Sequence, residues 1–286
     1  VDNYLVFKPY VLGEASPLHT KVPTEPDPYL NVVTPTASNG VDTRFRGNVS
    51  VTNNNVNGLT SDTGNQNRKT TKTEVIANGL YTVPSDVVVL HPGIYESISI
   101  TGGTVYFIPG IYVLKANKAN QDILKMTGGT IYANGLMFYN TGANYDSSTG
   151  APDMYDLGTT PPTAATTLFG STAINTSFST TPINTSIYNY AAMYPGAKAV
   201  AKDFNGMMFY QRRHNTQVLK ITGNTSSTSL TGTFYGKWMP LDISGQGKYD
   251  AQFVISNMSV SGSGTVEVTA GNNAPKAMGK SVFLVE

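Results

Sequence analysis

No cysteine occurs among the 286 residues, which removes disulfides, thiolate nucleophiles and cysteine-based zinc sites together. Stability therefore rests on packing and backbone hydrogen bonds. Charge is scarce as well: Asp, Glu, Lys and Arg make up 13% of the chain, against about 25% in an average soluble domain. The formal net charge is +1, so no long-range field gathers nucleic acid or anionic lipid, and no nucleic-acid partner is expected. No apolar run approaches the ~18 residues of a spanning helix, so this chain should carry no helical membrane span. No charged-then-apolar leader follows Val1, and an export signal, if the protein has one, lies outside this sequence.

What is present is glycine, at 28 positions, together with abundant Thr, Ser and Asn. Such a polar but uncharged surface suits an exported protein, extracellular or at the cell surface. The chain also repeats itself. Pro92-Gly93-Ile94-Tyr95 returns as Pro109-Gly110-Ile111-Tyr112, and Thr101-Gly102-Gly103-Thr104-Val105-Tyr106 returns as Thr127-Gly128-Gly129-Thr130-Ile131-Tyr132. A recurrence on the order of 20 residues is too close for domains and too long for a helical heptad. Ile98, Ile100, Val105 and Phe107 alternate with Ser99, Thr101, Thr104 and Tyr106, a period of two that sends one set inward and the other outward. Glycine pairs fall where a chain must turn a corner. These features predict an all-β fold, a single-stranded right-handed parallel β-helix in which each strand pairs with its equivalent one coil away, about 4.8 Å along the axis. An antiparallel sandwich would alternate too, but it has no need for phrases that recur in the same internal order.

Four regions follow. Residues 1–38 read as an apolar strand-forming opening and a Pro-rich extended arm, with Pro17, Pro23, Pro26, Pro28 and Pro35 barring helix and regular sheet. Residues 39–140 read as the first part of the β-helix. Its polar start, with Arg44, Arg46, Arg68, Lys69 and Lys72, is expected to be a solvated, irregular face or a first weak coil that caps the solenoid. Residues 141–203, rich in Thr, Ser, Asn and Pro, read as an insertion from one corner, because the phrase Asn134-Gly135-Leu136-Met137-Phe138-Tyr139 returns after it as Asn205-Gly206-Met207-Met208-Phe209-Tyr210. Its aromatic residues Tyr145, Tyr155, Phe169, Phe178, Tyr188, Tyr190 and Tyr194 suggest packing on something. Residues 204–286 read as the second part of the β-helix and a C-terminal strand.

Candidate chemistry is sparse. The acids of the regular coils, Glu96, Asp122, Asp203, Asp242, Asp250 and Glu267, form no Asp-x-Asp cluster of the kind a β-helical lyase or hydrolase would present. Gln211-Arg212-Arg213-His214 is the one dense polar cluster. Paired with Asp203, His214 would be an acid–base candidate, although a solvated corner next to the insertion accounts for the cluster more simply. His19 and His91 lack further ligands at metal spacing. Trp238, with Tyr235, Met239 and Tyr249 nearby, reads as a sugar platform or, more simply, a buried or interface aromatic. Asn48, Asn175, Asn184, Asn224 and Asn257 stand in acceptor-like triplets that chance supplies in so Asn- and Thr-rich a chain. No catalytic, cofactor-binding or metal-binding residue is assigned.

The two Pro-Gly-Ile-Tyr phrases, Gly135-Leu136-Met137-Phe138-Tyr139-Asn140, Gly206-Met207-Met208-Phe209-Tyr210-Gln211-Arg212, Ile221-Thr222-Gly223-Asn224 and Leu230-Thr231-Gly232-Thr233-Phe234-Tyr235 resemble the β-helical region of bacterial secreted proteins associated with Tad-type pilus assembly. The resemblance covers roughly residues 25–270 and is carried by structural corners. Family members continue the last phrase with Ala-Pro, where this chain has Gly236-Lys237-Trp238-Met239-Pro240. The opening residues 1–12 and the 141–203 segment also depart from the pattern. The resemblance implies an exported, surface-associated protein without established chemistry. The reading from sequence is a non-catalytic structural subunit that self-associates into a filament or lattice through its terminal strands and the insertion. A glycan-binding or polysaccharide-cleaving β-helix protein is the alternative, and another cell-surface protein or a glycan is a further possible partner.

Overall fold

The computed structural model describes residues 27–57, 67–118, 121–152, 156, 162, 169–175, 178–182, 203–224, 230–262, 266–268 and 283–284. Strands dominate them. In chain order these are β1 (Phe45–Thr52), β2 (Asn55–Asn57), β3 (Arg68–Lys69), β4 (Glu74–Ile76), β5 (Tyr81–Val83), β6 (Val88–Leu90), β7 (Gly93–Ile100), β8 (Thr104–Phe107) and β9 (Gly110–Lys115). They continue as β10 (Asp122–Met126), β11 (Thr130–Thr141), β12 (Ser171–Asn175), β13 (Phe178–Pro182), β14 (Met207–Gln211), β15 (Leu219–Asn224), β16 (Leu230–Ser261), β17 (Val266–Val268) and β18 (Phe283–Leu284). The protein is all-β, and its strands pair mostly in parallel.

Three parallel ladders organise the chain. The first runs β1–β7–β10–β12–β15–β16. Its register aligns Val51, Ile100, Met126, Ile174, Ile221 and Ile243 in one column of buried side chains. The second joins β6, β8, the start of β11, and β13. In the third, the start of β7 pairs with β9, then the end of β11, β14, and β16 near Phe234. Strand β11 serves two ladders by bending at Gly135, where φ is 71°.

The repeated phrases are the corners between ladders. In each Pro-Gly-Ile-Tyr the tyrosine reaches back four residues: Tyr95 donates its hydroxyl proton to the carbonyl of His91, and Tyr112 to those of Ile108 at 2.7 Å and Leu90 at 2.9 Å. The glycine must stay bare, since a Cβ on Gly110 (φ 148°) would lie 2.4 Å from Pro92 Cγ of the preceding repeat. The Thr-Gly-Gly-Thr corners stack likewise, and a Cβ on Gly129 (φ 89°) would lie 2.4 Å from the carbonyl oxygen of Gly103. Each phrase thus folds against its own earlier copy.

Inside the third ladder, Phe138, Phe209 and Phe234 are register partners, with Phe209 and Phe234 stacked at 6.2 Å and Phe253 a further 5.2 Å from Phe234. Its outer side is buried too. Tyr139, Tyr210 and Tyr235 form a second column, 5.0 and 5.3 Å apart, covered by Tyr29, Val41, Tyr145 and Phe204. The described part of the Pro-rich segment therefore lies along the body. Tyr29 packs 5.2 Å from the Tyr235 ring and donates to Gln252 Oε1 at 3.1 Å.

Two findings differ from the sequence expectations. The 141–203 segment is not a single excursion from one corner: β12 joins β10 to β15 in the first ladder, and β13 pairs with β11 in the second. The pattern went unseen because Ser-Thr-Ala-Ile-Asn and Phe-Ser-Thr-Thr-Pro carry few large apolar residues. The polar start forms strands, as a first weak coil would, but it is not solvated throughout, since Arg46 is buried. Antiparallel β2 covers the edge of β1, and antiparallel β3 covers β6, which seals the first edge of two ladders. At the other end β17 and β18 add to β16 in parallel within the same chain. The apolar opening 1–12 and Tyr155, Tyr188, Tyr190 and Tyr194 lie outside the described residues.

Candidate functional site

Among the described residues, the turn after β14 gathers a dense set of polar side chains, and it is buried. Asn140 at the end of β11 stands beside Gln211 in the ladder. Its amide donates to Gln211 Oε1 at 3.0 Å and to the Gly170 carbonyl at 3.0 Å, while Asn215 Nδ2 donates back to Asn140 Oδ1 at 3.1 Å. Gln211 Nε2 donates to the carbonyls of Asn215 and Gln217. These amides satisfy one another and the backbone of a buried corner.

Each arginine fastens a different segment to this corner. Arg212, 2% exposed, directs Nε and Nη2 at Asp156, 3.1–3.2 Å away, Nη1 at Asn144 Oδ1 (2.7 Å) and Nη2 also at the Ala151 carbonyl (2.7 Å). Arg213 turns the other way. Its Nε donates to the Tyr235 hydroxyl at 2.7 Å, and Nη2 to the carbonyls of Tyr29 and Val32. The Tyr235 hydroxyl donates in turn to Asp27 Oδ2 at 2.8 Å. Burial lifts the Tyr235 phenol well above its ordinary range, against the pull of Arg213, and burial likewise pushes Tyr210 up to about 12. The Tyr235 phenol therefore keeps its proton at neutral pH and donates it to Asp27.

This arrangement corrects the expectation of a solvated corner. The four residues Gln211, Arg212, Arg213 and His214 are all buried. His214 packs edge-on against Phe169 at 5.3 Å, whereas Asp203 is exposed; the two stand in different surroundings. Trp238 is buried, with Lys237 Nζ 5.3 Å from its ring, so it offers no open platform. The acids are dispersed: Asp122 accepts from Ser171, Glu96 from Asn48, and Asp242 and Asp250 are half-buried on β16. Among the described residues no group of three His, Asp or Glu side chains converges as a metal site, and no helix is long and apolar enough to cross a membrane. His19 lies outside the described residues. Asn48 and Asn257 are exposed.

A second buried charge cluster sits at the sealed end. Arg46, expected on a solvated face, is fully buried and donates to the Pro92 carbonyl at 3.2 and 3.3 Å. Asp42 binds the Arg44 guanidinium and lies 3.9 Å from that of Arg46. His91, beside Pro92, is buried here, and its backbone N–H donates to Asn67 Oδ1. Burial first, then the positive charges of Arg46, Arg68 and Arg44, holds the His91 imidazole down at about 3, against the opposing pull of Asp42. A histidine with a lowered folded-state pKa contributes stability that is complete above its ordinary value of 6.5 and is lost as pH falls from there through about 3. At about pH 5 the cost is on the order of 2 kcal/mol. His91→Leu should therefore flatten the dependence of urea unfolding on pH between about 7 and 5; an unchanged slope would assign the acid sensitivity elsewhere.

Signals for these clusters were present but ambiguous. An Arg-Arg-His run reads as exposed, and only the register with Asn140 and the approach of Asp27 and Asp156 from distant segments show why it is inside. Comparison with protein-family models, with curated proteins and with solved structures finds no match.

Proposed function

We propose that this chain is a right-handed parallel β-helix, a single solenoid, that serves as a non-catalytic structural protein of the bacterial cell surface or extracellular space and associates with its own kind. The observation that carries the reading is the column register: Val51, Ile100, Met126, Ile174, Ile221 and Ile243 stack although the intervals between them in sequence differ widely. Like on like through unequal intervals is the habit of a solenoid. The buried Arg212 and Arg213 support a structural role, since each spends its donors on joining segments of the fold.

Sealing by β2 and β3 argues against simple end-to-end stacking at that end. Assembly then relies on exchanged strands, and the apolar residues 1–12 are the candidate arm, adding to a ladder of a neighbouring copy through main-chain hydrogen bonds. Such a head-to-tail contact need not close, and it yields filaments. Light scattering and negative-stain electron microscopy of the whole chain over a range of concentrations should show regular assemblies, and deletion of residues 1–12 should leave a folded monomer. A whole chain that stays monomeric at high concentration would sink self-association. Assembly undiminished by the deletion would remove the arm from it.

A further inference from the structure

One pair of tyrosines differs from every other ring pair described in this chain. Tyr106 on β8 and Tyr132 on β11 are direct register partners on the outer face of the second ladder. Their rings stack at 4.5 Å between centroids with only 17° between planes, and both are half-buried, so each reaches solvent. The remaining tyrosine pairs fail one condition or both. Tyr95 and Tyr112 stack at 25° but lie 5.8 Å apart and are fully buried. The Tyr29–Tyr235, Tyr139–Tyr145, Tyr139–Tyr210 and Tyr210–Tyr235 pairs are tilted or edge-on and buried. Tyr81 meets Tyr106 edge-on and is itself buried.

We infer that Tyr106 and Tyr132 form an oxidative modification site, at which a peroxide-driven one-electron oxidant joins the two rings as dityrosine and ties adjacent strands of the second ladder together. The step balances as follows. Each phenol gives up one electron and one proton to become a phenoxyl radical, and two such losses reduce one hydrogen peroxide to two waters. The radicals couple through a new bond between ring carbons ortho to the oxygens. The hydrogens on those two carbons then move to the oxygens as aromaticity returns, leaving two phenols joined by a carbon–carbon bond and lighter by two hydrogens in all.

Geometry supplies what the coupling needs. Near-parallel rings at 4.5 Å hold the carbons of one phenol against those of the other, so coupling within the chain competes with encounters between chains at a very high effective concentration. The ladder fixes this approach, because the hydrogen bonds that pair Ile131 with Val105 and Tyr132 with Tyr106 set the spacing of everything outside them. The Tyr106 phenol is held above its ordinary value by burial and by Tyr132. Proton loss therefore accompanies electron loss at neutral pH. The inference is independent of whether the protein assembles.

The test uses the whole chain with a haem peroxidase and stoichiometric hydrogen peroxide, read by dityrosine fluorescence, gel mobility and peptide mapping by mass spectrometry. The expected result is a monomeric product in which the peptides containing Tyr106 and Tyr132 are joined and short by two hydrogens, with a raised melting midpoint. Tyr106→Phe and Tyr132→Phe keep the stacked ring and should each abolish that joined peptide. Absence of the joined peptide in the parent chain overturns the proposal. Coupling found only at other tyrosines, or only between chains, overturns it as well, and so does a joined peptide that survives in Tyr132→Phe.

Discussion

Replacing Phe209 by alanine is expected to lower the free energy of unfolding by about 3–5 kcal/mol, the range for a buried aromatic-to-alanine change. Phe209 is fully buried, with Phe138 as its register partner on one side and Phe234 stacked on the other. In a helical core, neighbours can slide to fill part of such a cavity. Here the strands on either side are held by ladder hydrogen bonds at about 4.8 Å, so the rings above and below cannot close on the gap. Phe209→Leu, which keeps most of the volume, should cost no more than about 1.5 kcal/mol. Urea unfolding of the two variants checks both numbers. If the alanine variant lost under 1 kcal/mol, the column would have to be far more yielding than its register implies.

The second large effect concerns charge. Arg212→Ala should cost about 3–5 kcal/mol, because it takes the guanidinium away from the buried Asp156 carboxylate. An exposed pair would cost under about 1 kcal/mol, but here the two side chains are 2% and 9% exposed. The decisive comparison is the double variant Arg212→Met with Asp156→Leu, which removes both charges. It should be more stable than Arg212→Ala, even though it changes more. A double variant less stable than Arg212→Ala would mean that the Asp156 carboxylate contributes through contacts other than this ion pair.

The repeating architecture was legible because its corners are chemically exacting. Only glycine fits where a preceding Pro92 or Gly103 presses in, and only tyrosine reaches back to a carbonyl four residues away, so those phrases must recur in letters. The near-copy ending in Phe138-Tyr139 and Phe209-Tyr210 was legible for the same reason, and its two members are indeed neighbours in the ladder. Strands β12 and β13 were hidden because a ladder asks of its members only backbone pairing and an occasional inward apolar residue such as Ile174. Thr and Ser meet that demand without leaving a pattern. Buried arginines were illegible in principle: whether Arg46, Arg212 or Arg213 faces water depends on which distant carboxylates and carbonyls arrive, and Asp27 and Arg213 come from widely separated parts of the chain.

That last meeting bears on the order in which the protein can form. Each strand of the first ladder pairs with the next one along the chain, so that ladder can grow in the direction of synthesis. The segment around Tyr29 is an exception. Its lodging is built from Thr233, Tyr235 and Gln252, which are translated more than 200 residues later. The earliest of the described residues to be synthesised is thus among the last to be seated. Closure of so long a loop is slow relative to strand addition, so the docking of this segment is expected late in folding, as the step that shuts the Tyr235 end of the tyrosine column off from water.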